Sequence, residues 1–206
     1  MLRSQAWYPP AASMKRIFAA SALVLVSLPV SALPVAAGEG AWNDAGAAAH
    51  GASILLPFKR DLQAALRQGL AAGPEQAIRV CRLEAPRIAS ALSTEDVRVG
   101  RTSHKLRNPR NAPKPWMAPL LAEYRANPKQ AQPRAVALEN RRVGYAEPIF
   151  VQPPCLTCHG DDIPQPVRER LAELYPEDRA TGFRSGDFRG MFWAEFPDPA
   201  EFPDPE

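Results

Sequence analysis

AVALENRRVGYAEPIFVQPPCLTCHG, residues 135–160, decides how this chain is to be read. Two apolar runs, AVALEN and RRVGYAEPIF, meet at Asn140 and Arg141, which predicts two strands joined by a turn. The second run leads directly into Cys155 and Cys158, three positions apart, with His159 immediately behind. A strand hairpin that delivers a cysteine-histidine loop is the frame for everything else, and the chain holds only one further cysteine, Cys81.

Upstream, the pattern turns helical. Residues 38–50 are small and read as a flexible leader, and the folded domain is expected over 51–194. In SILLPFKRDLQAALRQGLAAG, Leu56, Leu62, Leu66 and Leu70 recur at helical spacing, and Gly69 and Gly73 mark the end. A second helix starts at Pro74, a residue suited to a first turn, with Glu75 near the positive end of the helix dipole. Ile78, Cys81, Ala85, Ile88 and Leu92 share one of its faces, and Pro86 is expected to kink or divide it. VRVGRTS alternates as a half-buried strand, and HKLRNPRNAPKPW, rich in proline and asparagine, reads as loop. A short helix follows from Trp116 to Ala126, ended by Asn127 and Pro128. Beyond the cysteines nothing looks helical before Pro166, where PQPVRERLAELY begins a helix, and FRGMFWAEF is a last strand. Helices first, then strands separated by helical insertions, give an α+β fold with a mainly antiparallel sheet. Residues 195–206 belong to a repeated acidic, proline-rich unit and read as a flexible tail.

The formal charge of +3 on 206 residues misleads. Of the 25 basic residues, Arg3, Lys15 and Arg16 precede residue 38, while all 22 acidic residues follow it, so the rest of the chain is neutral. A nucleic-acid partner is not expected, since that would call for a basic excess. The early cations belong to MKRIFAASALVLVSLPVSALPVAAGEG, which begins at Met14 with a basic start, an apolar centre and a small-residue end: the layout of a secretory signal. Val35, Ala36 and Ala37 offer a cleavage site, with Ala32 as a second. Residues 1–37 are thus upstream sequence plus signal, and the mature chain is expected in the periplasm. An uncleaved membrane anchor is the alternative, because the stretch from Ile17 to Gly38 is long enough to span a bilayer.

Three chemistries compete for the cysteine pair. A thioredoxin-type redox couple wants CxxC at the start of a helix after a strand, and the helix is missing from the pattern. A zinc site wants four Cys or His ligands, and the spacing of Cys81, Cys155, Cys158 and the three histidines matches no finger pattern. Covalent haem attachment needs two thiols two residues apart, which add across the porphyrin vinyl groups, and an adjacent histidine for the iron. That attachment is made in the periplasm in bacteria, so the export signal supports it independently. One haem c on Cys155 and Cys158, with His159 as axial ligand, is the reading adopted.

The second axial position decides the chemistry. Cys81, His104, His50, Met117, Met191 and water all compete for it. A cysteine on a helix face is usually a small apolar residue, but a third cysteine in an exported protein is exposed to oxidation and mispairing, and ligation would give it a reason to persist. His104 and His50 lie in stretches where a solvated histidine is common. The methionines lack any distinguishing local pattern. Arg101, Lys105, Arg107, Asn108 and Asn111 most simply hold a long loop by hydrogen bonds. The cations among them also suit haem propionates, without singling out a residue, and the same ambiguity covers Asp187 and Arg189.

Four blocks resemble a known family: AIRVCRLEAP around Cys81, GRTSHKLRNPRNAPKPW from Gly100, EPIFVQPPCLTCHG ending at Gly160, and YPEDRATGFRSGDFRG from Tyr175. The family comprises exported single-haem c-type domains with a PAS-like fold, found alone or at the sensing end of signalling proteins, and the likeness runs roughly from Leu55 to Trp193. It implies a haem between sheet and helices, with His159 on one side of the iron and Cys81 on the other. His104 departs from the block, where an apolar residue is expected, and stands as the rival axial ligand.

Thiolate ligation would stabilise ferric iron and lower the potential. The expected function is therefore one-electron transfer with a redox partner protein. The alternative is a redox or diatomic-gas sensor that acts through a separate signalling partner. An enzyme is not expected, because turnover needs an open iron position and a nearby acid-base residue.

Overall fold

A computed structural model describes residues 44–198. The signal or anchor assigned to residues 1–37, and the second copy of the C-terminal repeat, lie outside them. Helix α1 runs Asp44–Ala71 and α2 Pro74–Ala91, followed by strand β1 at Arg98–Thr102 and α3 at Met117–Ala126. Then come β2 (Arg134–Leu138), β3 (Arg142–Phe150), the single turn α4 (Leu156–His159), α5 (Gln165–Leu174) and β4 (Phe188–Pro197). The strands form one antiparallel sheet in the order β1-β4-β3-β2, so the α+β expectation matches the fold observed.

The hairpin around which the sequence was read forms as expected. Asn140 and Arg141 take φ of 56° and 53°, left-handed conformations that turn the chain within the three-residue loop 139–141 closed by the Leu138–Arg142 pair. β3 is then paired on both sides, with β2 and with β4, which makes it central, and a register irregularity at Ile149/Phe150 shifts the last pair with β4 to Phe150–Phe188.

The sheet has two buried faces. On one, Val99, Val143, Tyr145, Ala194 and Phe196 pack with Leu55, Phe58 and Leu62 of α1. On the other, Ala146 and Met191 pack with Met117, Leu120, Leu121 and Tyr124 of α3. Glu195, on the α3 side, is buried, and its carboxylate is satisfied by Lys114 and by Trp116 Nε1 at 2.6 Å. A third cluster joins Ile78 of α2 to Val167 and Leu171 of α5 and to Tyr175.

Four local readings change. The leader read as flexible is helical from Asp44, because Ala47 is buried in the core cluster and Gly51, just past the leader, allows close packing: a Cβ there would sit 2.4 Å from Tyr145 Cγ. Pro86 lies inside an undivided α2; packing of α2 on α1 and α5 outweighs the missing donor. A turn of 3₁₀ helix at Pro153–Cys155 runs into α4, so the cysteine segment is helical before Pro166. β4 also extends to Pro197, past the expected domain end, because Phe196 is fully buried against α1. Among the described residues, no helix is long and apolar enough to cross a membrane.

Helix propensity alone favours alanine over glycine by about 1 kcal/mol. The contact at Gly51 reverses the sign, so Gly51→Ala is expected to destabilise the protein by about 1–2 kcal/mol, read as a lower urea midpoint with an unchanged slope; an unchanged or higher midpoint would show that Tyr145 yields freely.

Candidate functional site

Between α1 and α2 on one side and the sheet on the other lies a cavity of about 430 Å³. Phe58, Leu62, Leu66 and Leu70 of α1 and Ile78, Ala85 and Pro86 of α2 make its helical wall; Ile149 and Phe192 belong to the sheet wall. Cys155, Cys158 and His159 line the same cavity, and so does Cys81, from the middle of α2. Helical periodicity places Cys81 there, since it shares a face with buried Ile78 and Ala85.

His159 is oriented through its backbone-facing nitrogen. Nδ1 lies 2.7 Å from the Ala180 carbonyl, which can only accept, so Nδ1 carries the proton and Nε2 of the neutral ring keeps its lone pair. Burial, helped by the charges of Arg107 and Arg189, holds the imidazole pKa down to about 2. The ring is therefore a neutral donor at ordinary pH. Burial also pushes the Cys158 thiol up, with Arg107 pulling against it. A nucleophilic cysteine of the thioredoxin type shows the opposite displacement.

Backbone pairing locks the segment. Gly182 N donates to Gly160 O at 2.8 Å and Phe183 N to His159 O at 2.9 Å. Arg107 ties the same segments together: Nε donates to Asp178 at 3.0 Å, while Nη2 reaches the Cys158 and Ala180 carbonyls. Asp178 also accepts from Ala180 N at 2.8 Å. The carbonyl that aims His159 is thus held from two directions, an outer-shell arrangement of the kind that fixes ligand histidines.

The other axial candidates lie elsewhere. His104 is not among the cavity-lining residues; it stacks on Phe188, centroids 5.8 Å apart, and its buried Nδ1 has no hydrogen-bond partner. Burial lowers its pKa, and Arg125, Arg189 and Lys105 add to the effect. Met117 and Met191 are fully buried in the cluster beneath α3, and His50 is exposed, edge-on to Phe196. The three cysteines are free, and among the described residues no three His, Cys, Asp or Glu side chains gather closely enough to hold a metal ion. Cys81, Cys155, Cys158 and His159 share a cavity without converging on one point, which suits a large ligand between them better than a zinc ion.

Sequence reasoning gave no role to Asp178, Ala180 and Tyr175 and little weight to Arg189, which also lines the cavity. All four fall within the fourth block, whose unusual composition was visible, but no local pattern reveals that residues 180–183 pair with residues 159–160.

Three thiols and an imidazole thus share the walls of one apolar cavity in an α+β domain. A family model, Tll0287-like (Tll0287), matches residues 39–197, and the chain belongs to the Tll0287-like family. Among solved structures, that of the cyanobacterial heme-protein Tll0287 aligns at 34% identity over 57% of this chain and 71% of that one, with a TM-score of 0.46. No curated protein matches.

Arg107 and Asp178 are both largely buried, at 12% and 10% side-chain exposure. Asp178→Ala leaves a buried guanidinium unpaired and is expected to cost roughly 3 kcal/mol, measured by chemical denaturation; a loss within experimental error would mean that water compensates Arg107.

Proposed function

We propose that this chain binds one haem c covalently in the cavity between helices and sheet and carries single electrons at low potential in the periplasm. The observation that carries the reading is the meeting of CxxCH and Cys81 on one apolar cavity. Membership of the Tll0287-like family supports it, since Tll0287 itself is described as a heme-protein. The Met14-led signal supports export, and an antiparallel sheet flanked by helices is compatible with a PAS-like domain.

Cys155 and Cys158 form the thioethers, and His159 presents Nε2 to the iron, held by the Ala180 carbonyl. Cys81 supplies a thiolate as the second axial ligand. Bound haem supplies one-electron chemistry at iron. The protein's part is to exclude water with the apolar walls and to fix the imidazole. An anionic sulfur favours ferric iron, which sets a low potential.

After export with haem maturation, the protein should gain the mass of one haem and keep it through acid-acetone extraction; complete extraction would sink the covalent reading. Cys81→Ala should change the ferric spectrum and raise the potential, whereas His104→Leu should do neither. An unchanged spectrum in the first variant, or loss of the low-spin signal in the second, would transfer the ligand role.

A second reading is a redox or diatomic-gas sensor. It is favoured by the position of Cys81 in the middle of a helix packed on both α1 and α5, so that ligand loss would act on α2 directly. Exposure of the reduced protein to carbon monoxide and nitric oxide separates the two. Spectra unchanged by either gas support the carrier, and rapid exchange supports the sensor.

A further inference from the structure

Positive charge collects around the cavity beside His159 with too little carboxylate to match it. Arg101 of β1, Arg107 and Arg189 all line the wall. Lys105 stands close by, its Nζ over the Phe183 ring and bonded to Thr181 O. Asp178 is the carboxylate that acts on Arg189, and Arg107 already occupies it. Arg189 finds only neutral acceptors, Ser103 Oγ at 2.7 Å and Lys105 O at 3.2 Å. Burial together with Arg101 and Arg107 depresses its pKa to about 10. The Arg101 side chain has no hydrogen bond or ion pair to any described residue, although it sits half-buried in the wall. Its alternation with Val99 puts it on the helix side of the sheet.

Taking a guanidinium out of water is unfavourable unless an anion and hydrogen bonds compensate. Two half-buried guanidiniums without a carboxylate therefore mark the wall as shaped for anionic groups. The rest of the cavity is apolar, which fits an amphipathic ligand with acidic edges better than a small free anion. Arg107 is already paired, since Asp178 balances its charge and its Nε and Nη2 are engaged by that carboxylate and by two carbonyls. We propose that Arg101 and Arg189 form a carboxylate clamp that receives the two propionates of the haem held by Cys155 and Cys158. This assignment rests on the haem c reading above.

A clamp of this kind keeps the propionates ionised and gives their charge a fixed partner. The test is the reduction potential against pH, for wild type, Arg101→Gln and Arg189→Lys. Arg101→Gln breaks no internal bond, and Arg189→Lys keeps the charge while losing the fork, so both should fold. The groups facing the clamp are Lys105 and Arg107 from the loop after β1, Cys81 from α2, and Cys155 and His159 from the cysteine segment. Tyr175 and Asp178 face it from the loop after α5, and His104 feels Arg189 from behind. All are common to the proteins compared, so the informative quantity is the variant potential minus that of wild type.

Removing the Arg101 cation should lower the potential at about pH 8, and the gap should close towards about pH 5 as the released propionate takes up a proton. Arg189→Lys should show the same trend at smaller amplitude. A gap that stays constant with pH would overturn the clamp while leaving the haem in place. A wild-type potential that moves on adding phosphate at constant ionic strength would also overturn it, in favour of a diffusible anion. Absence of covalently bound haem in the wild type would instead remove the reading on which the clamp rests, and the clamp with it.

Discussion

Arg107 joins segments that otherwise meet only in the folded chain. Its guanidinium binds Asp178 and the carbonyls of Cys158 and Ala180, and it comes from a loop that is itself tied back by Leu106 O to Arg179 N at 2.8 Å. A single planar fork with several donors suits this task because it satisfies a carboxylate and two carbonyls without moving. Without it, the strand-like pairing of residues 180–183 with 159–160 would rest on two backbone hydrogen bonds, and the acceptor for His159 would be set by a loop alone. The electrostatics follow from the same placement, for Arg107 lies close enough to depress the His159 pKa and to oppose the upward displacement of the Cys158 thiol.

The two faces of the sheet divide the candidate ligands. Residues that alternate with one another along β1, β3 and β4 are committed to opposite sides, so Phe192 contributes to the cavity wall while Met191 is sealed beneath α3. His104 follows the second group through Phe188. Cys81 reaches the first through α2. The separation is geometric, and no composition argument at the level of single residues could have made it.

Much of the scaffold was readable because local signals agreed with the final packing. Pro74 opened α2, Asn140 and Arg141 turned the hairpin, and Asn127 with Pro128 closed α3. Where the reading failed, tertiary contacts had overruled a local cue. Residues 44–50 looked flexible but open a helix whose Gly51 is small because Tyr145 occupies the space of a side chain. Pro86 looked like a breaker but sits in a helix held between two others. In the candidate site, CxxCH declared itself by spacing, and Cys81 by being one cysteine too many. The roles of Asp178 and Ala180, and the lack of a carboxylate partner at Arg101 and Arg189, depend on contacts between segments distant in sequence, and for those the chain offers no short pattern.

The end of β4 has a further consequence. Phe196 is buried and Asp198 N donates to Arg141 O at 2.9 Å, so the chain leaves the sheet beside the β2–β3 turn. The cavity residues Ile149 and Phe150 lie at the other end of β3, about 25 Å away at the usual rise per residue. A fluorophore attached at Asp198 would therefore sit beyond touching distance of any chromophore in the cavity yet well within the range of dipolar energy transfer, which makes this exit point a convenient optical gauge of what the cavity holds.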